Sequence, residues 1–333
     1  MQITKKTIGL FLGPMLFFII INGFHPEGLS TSANAILASV VWMVVWWTTE
    51  AVPIPVTALL PLVLFPLSGG LELSKTSAAY GHKFIFLFLG GFILAIAIEK
   101  WNLHKRIALT IIHMVGTSVK NIILGFMLAT AFLSMWISNT ATSVMMLPIG
   151  LAIITQLKDN PATLEDENKI FGKALMLAIA YSASIGGIAT LIGTPPNLVF
   201  AGVVNEIYNV EITFSQWIVF GLPISLILLF ICWYYLTRIG FNFKQKEFPG
   251  GRTEIKRQLE TLGKLSFEEK LVAIVFVVTA VAWISRSFIL KDFFPNIDDT
   301  IIAIASAIIL FLLPSKKKAQ KILTWEDAVK LPW

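Results

Sequence analysis

"MWISNTATSVMMLPIG", Met135 to Gly150, is an apolar run that carries Ser138, Asn139 and Thr140 together, with Thr142 and Ser143 close behind. Such side chains are expensive to bury in hydrocarbon without partners, so the chain must be using them. How this run is read decides the fold, because a polar pause inside an apolar segment marks either a kink or a meeting of helix ends.

The surroundings make hydrocarbon the relevant solvent. The 333 residues are 56% hydrophobic and 14% charged, with a mean hydropathy of +0.77, which points to an all-α polytopic membrane protein. The apolar residues fall into blocks of about 20, the length of a membrane span, separated by short polar stretches. The net charge of +6 is topological, since Lys and Arg sit between the blocks and no basic face is interleaved with stacking aromatics. That excludes a nucleic-acid partner. Cys232, a lone cysteine inside an apolar block, offers neither a disulfide framework nor a zinc cluster. Lys5 and Lys6 before Ile8 to Ile21 could mimic a secretory signal. No small-residue cleavage site follows Asn22 and many spans come after, so this block is the first transmembrane helix.

Spans are expected at 8–24, 35–49, 51–68, 84–100, 216–237, 269–290 and 299–313, with interrupted stretches at 118–157 and 172–206. Positive charge sets the orientation. With the N-terminus in the cytoplasm and 118–157 entering and leaving on one side, the cytoplasmic segments hold Lys5, Lys6, Lys100, Lys105, Arg106, Lys120, Lys158, Lys169 and Lys173. They also hold the basic residues between Arg238 and Lys270 and the run Lys316 to Lys318 with Lys321. The opposite side keeps Lys75, Lys83, Arg286 and Lys291 near span ends. A single crossing by 118–157 would put every later basic loop outside, so the segment is expected to be a re-entrant hairpin. Arg252 to Lys270, with Ile255, Leu259 and Leu262 at helical spacing, reads as an amphipathic helix on the cytoplasmic surface.

The hairpin's turn is expected at Ser138-Asn139-Thr140, with arms 121–137 and 141–155. The incoming arm leaves carbonyls without partners, which suits a cation, and the outgoing arm offers free N–H groups, which suits an anion. Ser134 and Ser138, one turn apart, are expected on one face of the first arm. A second irregular place is "IGGIATLIGTPPNLVF", Ile185 to Phe200. A helix entering from Phe171 should stop near Ile192, where Gly193 permits unusual backbone angles and Pro195 and Pro196 forbid continuation. Thr194 should cap a new helix with Pro195 at its first position. For Ser182, Ser184, Gly186 and Gly187 the expectation is interhelical packing. Non-helical backbone at membrane depth survives only in a cavity or in protein, and two such breaks point to a transporter site at the midplane.

"SNTAT" followed by "MMLPI", then "LIGTPPNLVF" and finally "WEDAVKLPW" resemble the divalent anion:sodium symporter family of di- and tricarboxylate carriers, from about Trp42 to the end. The resemblance implies an inverted-repeat homodimer in the cell membrane, whose transport domain moves against a scaffold as an elevator. It implies sodium, the coupling ion, held by Ser134, Ser138, Asn139 and the Gly193 carbonyl, with no other cofactor. It implies a small anionic substrate meeting Asn139, Thr140, Thr194 and Pro195. Scaffold spans and an interfacial helix would occupy 1–117 and half of the transport domain 118–206. A span plus the amphipathic helix would follow at 207–268, and the start of a second inverted repeat at 269–333. A second Ser-Asn-Thr hairpin, which the family needs, is absent from these residues, so the chain is expected to be truncated in its second repeat.

Neither break contains Asp, Glu, Lys or Arg, so a dianion would be balanced by co-bound cations and helix ends. The expected function is sodium-coupled transport of C4-dicarboxylates or citrate-like anions such as succinate, fumarate or malate. The alternatives are an anion exchanger, which in the family carries basic residues in place of sodium, and a sulfate carrier. An intramembrane enzyme would need paired Asp, a Ser–His pair or H-E-x-x-H within spans, none of which occurs. His82, His104 and His113 sit near interfaces without ligand spacing. A channel fits neutral capping residues less well than a carrier.

Overall fold

The computed structural model describes residues 4–116, 118–155, 167–243, 251–316, 321–329 and 331. Among them every regular element is helical. Six helical stretches are long and apolar enough to cross a membrane: Lys5–Gly23, Thr31–Thr49, Leu73–Lys100, Asn168–Ile188, Phe214–Gly240 and Phe267–Phe293. The chain forms two compact units, Met1–Ile85 and Phe86–Trp333.

The first unit pairs α1 (Lys5–Gly23) with α2 (Thr31–Thr49). Their approach depends on missing side chains, because a Cβ at Gly9 would lie 1.9 Å from Thr49 Oγ1 and one at Gly13 2.5 Å from Trp42. Small residues bring backbones together in this way where lipid supplies no hydrophobic drive between helices. The expected span over 51–68 is not one helix. It is α3 (Ile54–Thr57) and α4 (Leu60–Leu67), because Pro61 has no N–H for the Thr57 carbonyl and biases the residue before it away from helix. Tyr80, just after α5 (Leu73–Ala79), donates its hydroxyl to the Ala58 carbonyl inside that break. The helix α6 (Lys83–Lys100) leads into the second unit.

There α7 (Leu103–Val115) packs on α8 (Val119–Ser134), which is followed by α9 (Asn139–Ile154). At 16 residues each, these arms are about 24 Å long, short of a 30 Å hydrocarbon core. Then come α10 (Glu167–Ile188), α11 (Pro195–Tyr208) and α12 (Phe214–Tyr234), the last prolonged by a π-helical turn at Tyr235–Gly240. The contacts show that the chain reverses between α8 and α9. The Lys120 carbonyl, at the start of α8, accepts from Trp233 at the far end of α12, whereas Trp136, past the end of α8, stacks on Phe214 at the start of α12. Asn139 then faces Gly187 and Ile154 faces Gly172, so α9 runs back along α10.

The turn occupies Met135 to Ser138, a few residues before the expected position. Ser134 closes α8, while Ser138 is the N-cap of α9, its hydroxyl accepting from Ala141 N at 3.3 Å. The two serines therefore belong to opposite arms rather than to one helical face.

The helix α13 (Gly251–Thr261) forms where an amphipathic helix was expected, but its apolar face is covered by protein. Ile255 is buried, and Leu259 and Leu262 pack on the main core. Arg106 of α7 fixes the end of the segment, donating to the Leu262 and Gly263 carbonyls and to both oxygens of Glu269. Hydrogen bonds from Arg257 and Gln258 hold the Glu254 carboxyl below its ordinary range. The chain continues through α14 (Phe267–Ser285), a π-helical turn at Arg286–Leu290, α15 (Lys291–Phe293), α16 (Asp299–Leu312) and α17 (Trp325–Ala328). The last is tied to α6 by Lys100–Asp327 at 2.7 Å. Lys158, Lys244, Lys246, Lys317 and Lys318 lie outside the described residues.

The crossing of α8 on α10 brings backbone against backbone: a Cβ at Gly186 would stand 2.3 Å from the Ala131 carbonyl oxygen and 2.5 Å from its Cα. Backbone cannot move aside as a flexible side chain can. Gly186→Ala is expected to cost about 1–3 kcal/mol, read as a lower thermal midpoint in detergent. Gly23→Ala, a position with open space around it, should leave the midpoint unchanged.

Candidate functional site

The site begins as a problem of unpaired backbone. Since α10 stops at Ile188 in the interior, the carbonyls of Ile185, Gly186, Gly187 and Ile188 have no helical partner. Each is met. Ser225 donates to Ile185 O at 2.8 Å, Ala189 N to Gly186 O at 3.0 Å, Asn197 Nδ2 to Gly187 O at 2.9 Å, and Trp217 Nε1 to Ile188 O at 2.9 Å. Asn197 Nδ2 also donates to Thr190 O at 2.8 Å. The helix thus ends four residues before Ile192, because these donors converge on Ile185–Ile188.

Across the break, α11 begins at Pro195 with Thr194 at the cap position, as expected. The Thr194 side chain makes no cap hydrogen bond. Pro195 and Pro196 lack N–H groups, and Asn197 N is taken by Thr194 O at 3.2 Å. Little donor capacity remains at this helix start, and Pro195 itself has none. The start of α9 differs. Ser138 Oγ takes Ala141 N and Ser138 O takes Thr142 N, which leaves the amides of Asn139 and Thr140 without intrahelical partners.

The structure brings the tip and the break together. Ser134 Oγ lies 2.7 Å from Asn139 Oδ1 and 2.6 Å from the Ala183 carbonyl oxygen; its single proton serves one of them at a time. Thr190 of the break donates to the Met135 carbonyl of the turn. A Cβ on Gly187 would be 2.4 Å from Asn139 Oδ1, and a Cβ on Gly193 2.4 Å from Gly187 O. Gly187, expected to be a packing glycine, therefore forms the floor under the Asn139 amide, while Gly186 beside it does pack against α8.

Of the candidates, Ser134, Asn139 and, through Gly187, Gly193 form one cluster. Ser138 caps the adjoining helix. Thr140 and Pro195 are exposed and Thr194 is half-exposed. The oxygens in the cluster are neutral hydroxyl, amide and carbonyl, a donor set for a hard monovalent cation and not for a transition metal. Asn197 and Thr190 were missed in the sequence, although the Asn immediately after the paired prolines was a usable signal: its amide is a donor placed beside a break that leaves carbonyls unpaired.

A model of the sodium:sulfate symporter transmembrane region matches residues 4–333. The chain belongs to the sodium:sulfate symporter family. This agrees with the resemblance carried by the Ser-Asn-Thr and Gly-Thr-Pro-Pro motifs. Among the relatives of this symporter chain, a protein named sodium-dependent dicarboxylate transporter SdcS from Staphylococcus aureus strain MRSA252 is 47% identical over 336 residues, covering 99% of the chain and 65% of the relative. SdcS from strain USA300 is likewise 47% identical, with 98% of the chain and 64% of the relative aligned. The chain thus spans about two-thirds, and slightly less, of the length of these relatives. Family and span composition together make it a multi-pass membrane protein.

Asn197→Leu keeps the side chain's bulk and removes the donor shared by Gly187 and Thr190. The two carbonyls are then buried without a partner, at about 1–3 kcal/mol each. The expected outcome is a clear fall in thermal midpoint for a folded, purified protein, with Asn197→Asp no better because a carboxylate only accepts.

Proposed function

We propose that this protein is a sodium-coupled secondary carrier of C4-dicarboxylates. The observation that carries the proposal is the neutral cluster of Ser134, Asn139, Ala183 and Gly187, where the α8–α9 tip meets the end of α10. The naming of relatives at 47% identity as sodium-dependent dicarboxylate transporters supports the choice of cargo.

In this account sodium is cargo, held by Ser134 Oγ, Asn139 Oδ1, the Gly193 carbonyl and, at the foot of α9, Ser138. The substrate carboxylate meets the free amides of Asn139 and Thr140 and the Thr194 hydroxyl, with Pro195 only shaping the wall. The neutral surroundings make the two bindings depend on each other. A dianion has no fixed cation to meet, and sodium no fixed anion, so each ion supplies the charge the other lacks. Linkage requires the resulting coupling to be felt equally by both.

The short arms of α8 and α9, unable to span the core, support a re-entrant hairpin, and the positive charge between spans supports a cytoplasmic N-terminus. Residues 1–117 then belong to a scaffold, 118–206 to half of a moving domain, and 269–333 to the opening of an inverted repeat. Elevator movement and a homodimer complete this proposal, in which the protein transports its cargo and does not transform it. The family description, which names sulfate, favours sulfate as the second candidate cargo, and competition of labelled succinate uptake by sulfate distinguishes the two.

Asn139→Ala removes a ligand of the cation and a contact of the anion at once. In proteoliposomes of the complete gene product, half-saturating sodium and half-saturating succinate should rise together by about tenfold or more, the range of a coupling of 1–3 kcal/mol. Normal values of both would refute the site, and wild-type uptake that needs internal counter-anion and no sodium would refute symport.

A further inference from the structure

The turn between α8 and α9 is held at successive residues by different parts of the fold. Ser134 reaches Ala183 of α10 and Asn139 of the tip. Met135 offers its carbonyl to Thr190 of the break. Trp136 points another way, into an aromatic stack built by α12 and α14.

That stack is ordered. The Trp136 ring lies nearly parallel to Trp283, at 9° and 6.4 Å between centroids, and to Phe214, at 25° and 6.0 Å. Phe276 meets its edge at 86° and 4.9 Å, and Phe214 and Trp283 stack on each other at 5.0 Å. The far side is anchored by hydrogen bonds. Trp283 Nε1 donates to Asp299 O at 2.9 Å, Phe214 N donates to Asp299 Oδ2 at 3.0 Å, and Arg286 pairs with the same Asp299 oxygen at 3.0 Å. Arg286 is further fixed by Glu211 at 2.7 Å and by Ile297 O at 3.2 Å. Phe214, Trp283, Arg286 and Asp299 are all buried.

Trp136 differs from four other tryptophans of the second unit in one respect. The indoles of Trp101, Trp217, Trp233 and Trp283 each donate to a main-chain carbonyl, whereas the buried Nε1 of Trp136 has no hydrogen-bond partner among the described residues. Its place is set by ring packing alone, against a wall that cannot give. Aromatic faces and edges hold geometry through their quadrupoles without a hydrogen bond. The ring is also two residues from Ser138 and three from Asn139, and the intervening backbone rests on α8 through Trp136 N and Ile137 N, both donating to Leu133 O at 3.0 and 2.9 Å. A shift of the ring is therefore passed to the tip, not absorbed by a loop.

We propose that Trp136 is a positioning residue: its seat on Trp283, Phe214 and Phe276 sets where the Ser138-Asn139 tip stands relative to Ser134 and Gly187. Helices α14 and α16, which carry none of the candidate ligands, thereby fix the geometry of the site through the Asp299–Arg286 anchor. The consequence for sodium rests on the function proposed above; the positioning of the tip does not.

The test pairs Trp136→Leu with Trp136→Phe, which keeps an aromatic face, and with Trp283→Phe at the anchored end. The first readout needs no ion: hydrogen–deuterium exchange of amides 137–142 in the complete protein without sodium. Exchange there should quicken at least tenfold in Trp136→Leu, return to within threefold of wild type in Trp136→Phe, and stay unchanged in α16. The second is the sodium concentration that half-stabilises the purified protein against heat, which should rise at least tenfold in Trp136→Leu while the sodium-free midpoint moves little. Unchanged exchange at the tip, or a loss of sodium-free stability with wild-type exchange and sodium response, overturns the proposal. If Trp136→Leu does not fold, Trp283→Phe must reproduce faster tip exchange, and its failure to do so is equally decisive. A wild-type protein that ignores sodium yet shows the exchange pattern overturns the proposed function and leaves the positioning role standing.

Discussion

A helix that ends inside apolar surroundings exposes four carbonyls, and this is the constraint the second unit is built around. Each carbonyl left unpaired at Ile188 would cost as much as a lost hydrogen bond or more. The fold answers with Ser225 and Trp217 from α12, Asn197 from α11, and the amide of Ala189. Those donors tie α10, α11 and α12 into one block, and the glycines of the break let that block close. Gly186 admits α8 to backbone contact, Gly187 admits the Asn139 amide, and Gly193 lets the break fold back on Gly187. The cluster of neutral oxygens at the tip is thus the by-product of sealing a broken helix.

Much of this was legible in the residues. Pro195, Pro196 and Gly193 announce a break because one residue type lacks a donor and the other tolerates odd angles. Ser138 announces a helix start because a hydroxyl is what orphan amides need. The reversal of the chain between α8 and α9 was expected from charge, since in the proposed topology the basic loops fall on one side only if 118–157 returns. What escaped is of another kind. Nothing local to Ile188 says that the helix stops there rather than at Ile192, because the stop is decided by Ser225 and Trp217, some 30 to 40 positions away. The division of 51–68 into α3 and α4 was visible in Pro53, Pro55 and Pro61, but apolar length outweighed it. Gly186 and Gly187 look alike in sequence, and only the crossing of α8 decides that one meets a helix and the other the tip. The amphipathic face of α13 was real, yet periodicity cannot say whether protein or lipid covers it; Arg106, over 150 positions earlier, settles that for protein.

The two helix starts at the site are not equivalent, and the asymmetry is written in the two prolines. Four free amides would make either start an anion site. On α11, Pro195 and Pro196 remove two of them and Thr194 O takes the next. On α9, Ser138 satisfies the amides of Ala141 and Thr142 and leaves those of Asn139 and Thr140 without intrahelical partners. In the proposed carrier an approaching carboxylate is therefore directed to α9, while the oxygens of Ser134 and Asn139 form the side offered to the cation. In that proposal Asn139 belongs to both, its side-chain oxygen beside Ser134 and its backbone N–H without an intrahelical partner.

Under the proposed function, that dual membership accounts for a site without formal charge. A fixed Lys or Arg would bind a dianion without sodium, and a fixed Asp would bind sodium without the dianion; either would uncouple the two. Charged side chains are nonetheless buried in the second unit, where they serve geometry. Arg286, with Glu211 and Asp299, anchors the aromatic wall behind Trp136. Arg106 with Glu269 clamps α7 to the start of α14. Glu269 also accepts from Ser266 N and Asp299 from Phe214 N, so these pairs fix the shape of the fold around them. In the proposed carrier the cargo ions balance each other in a neutral site, and a charged frame that holds that site in place is what such coupling requires.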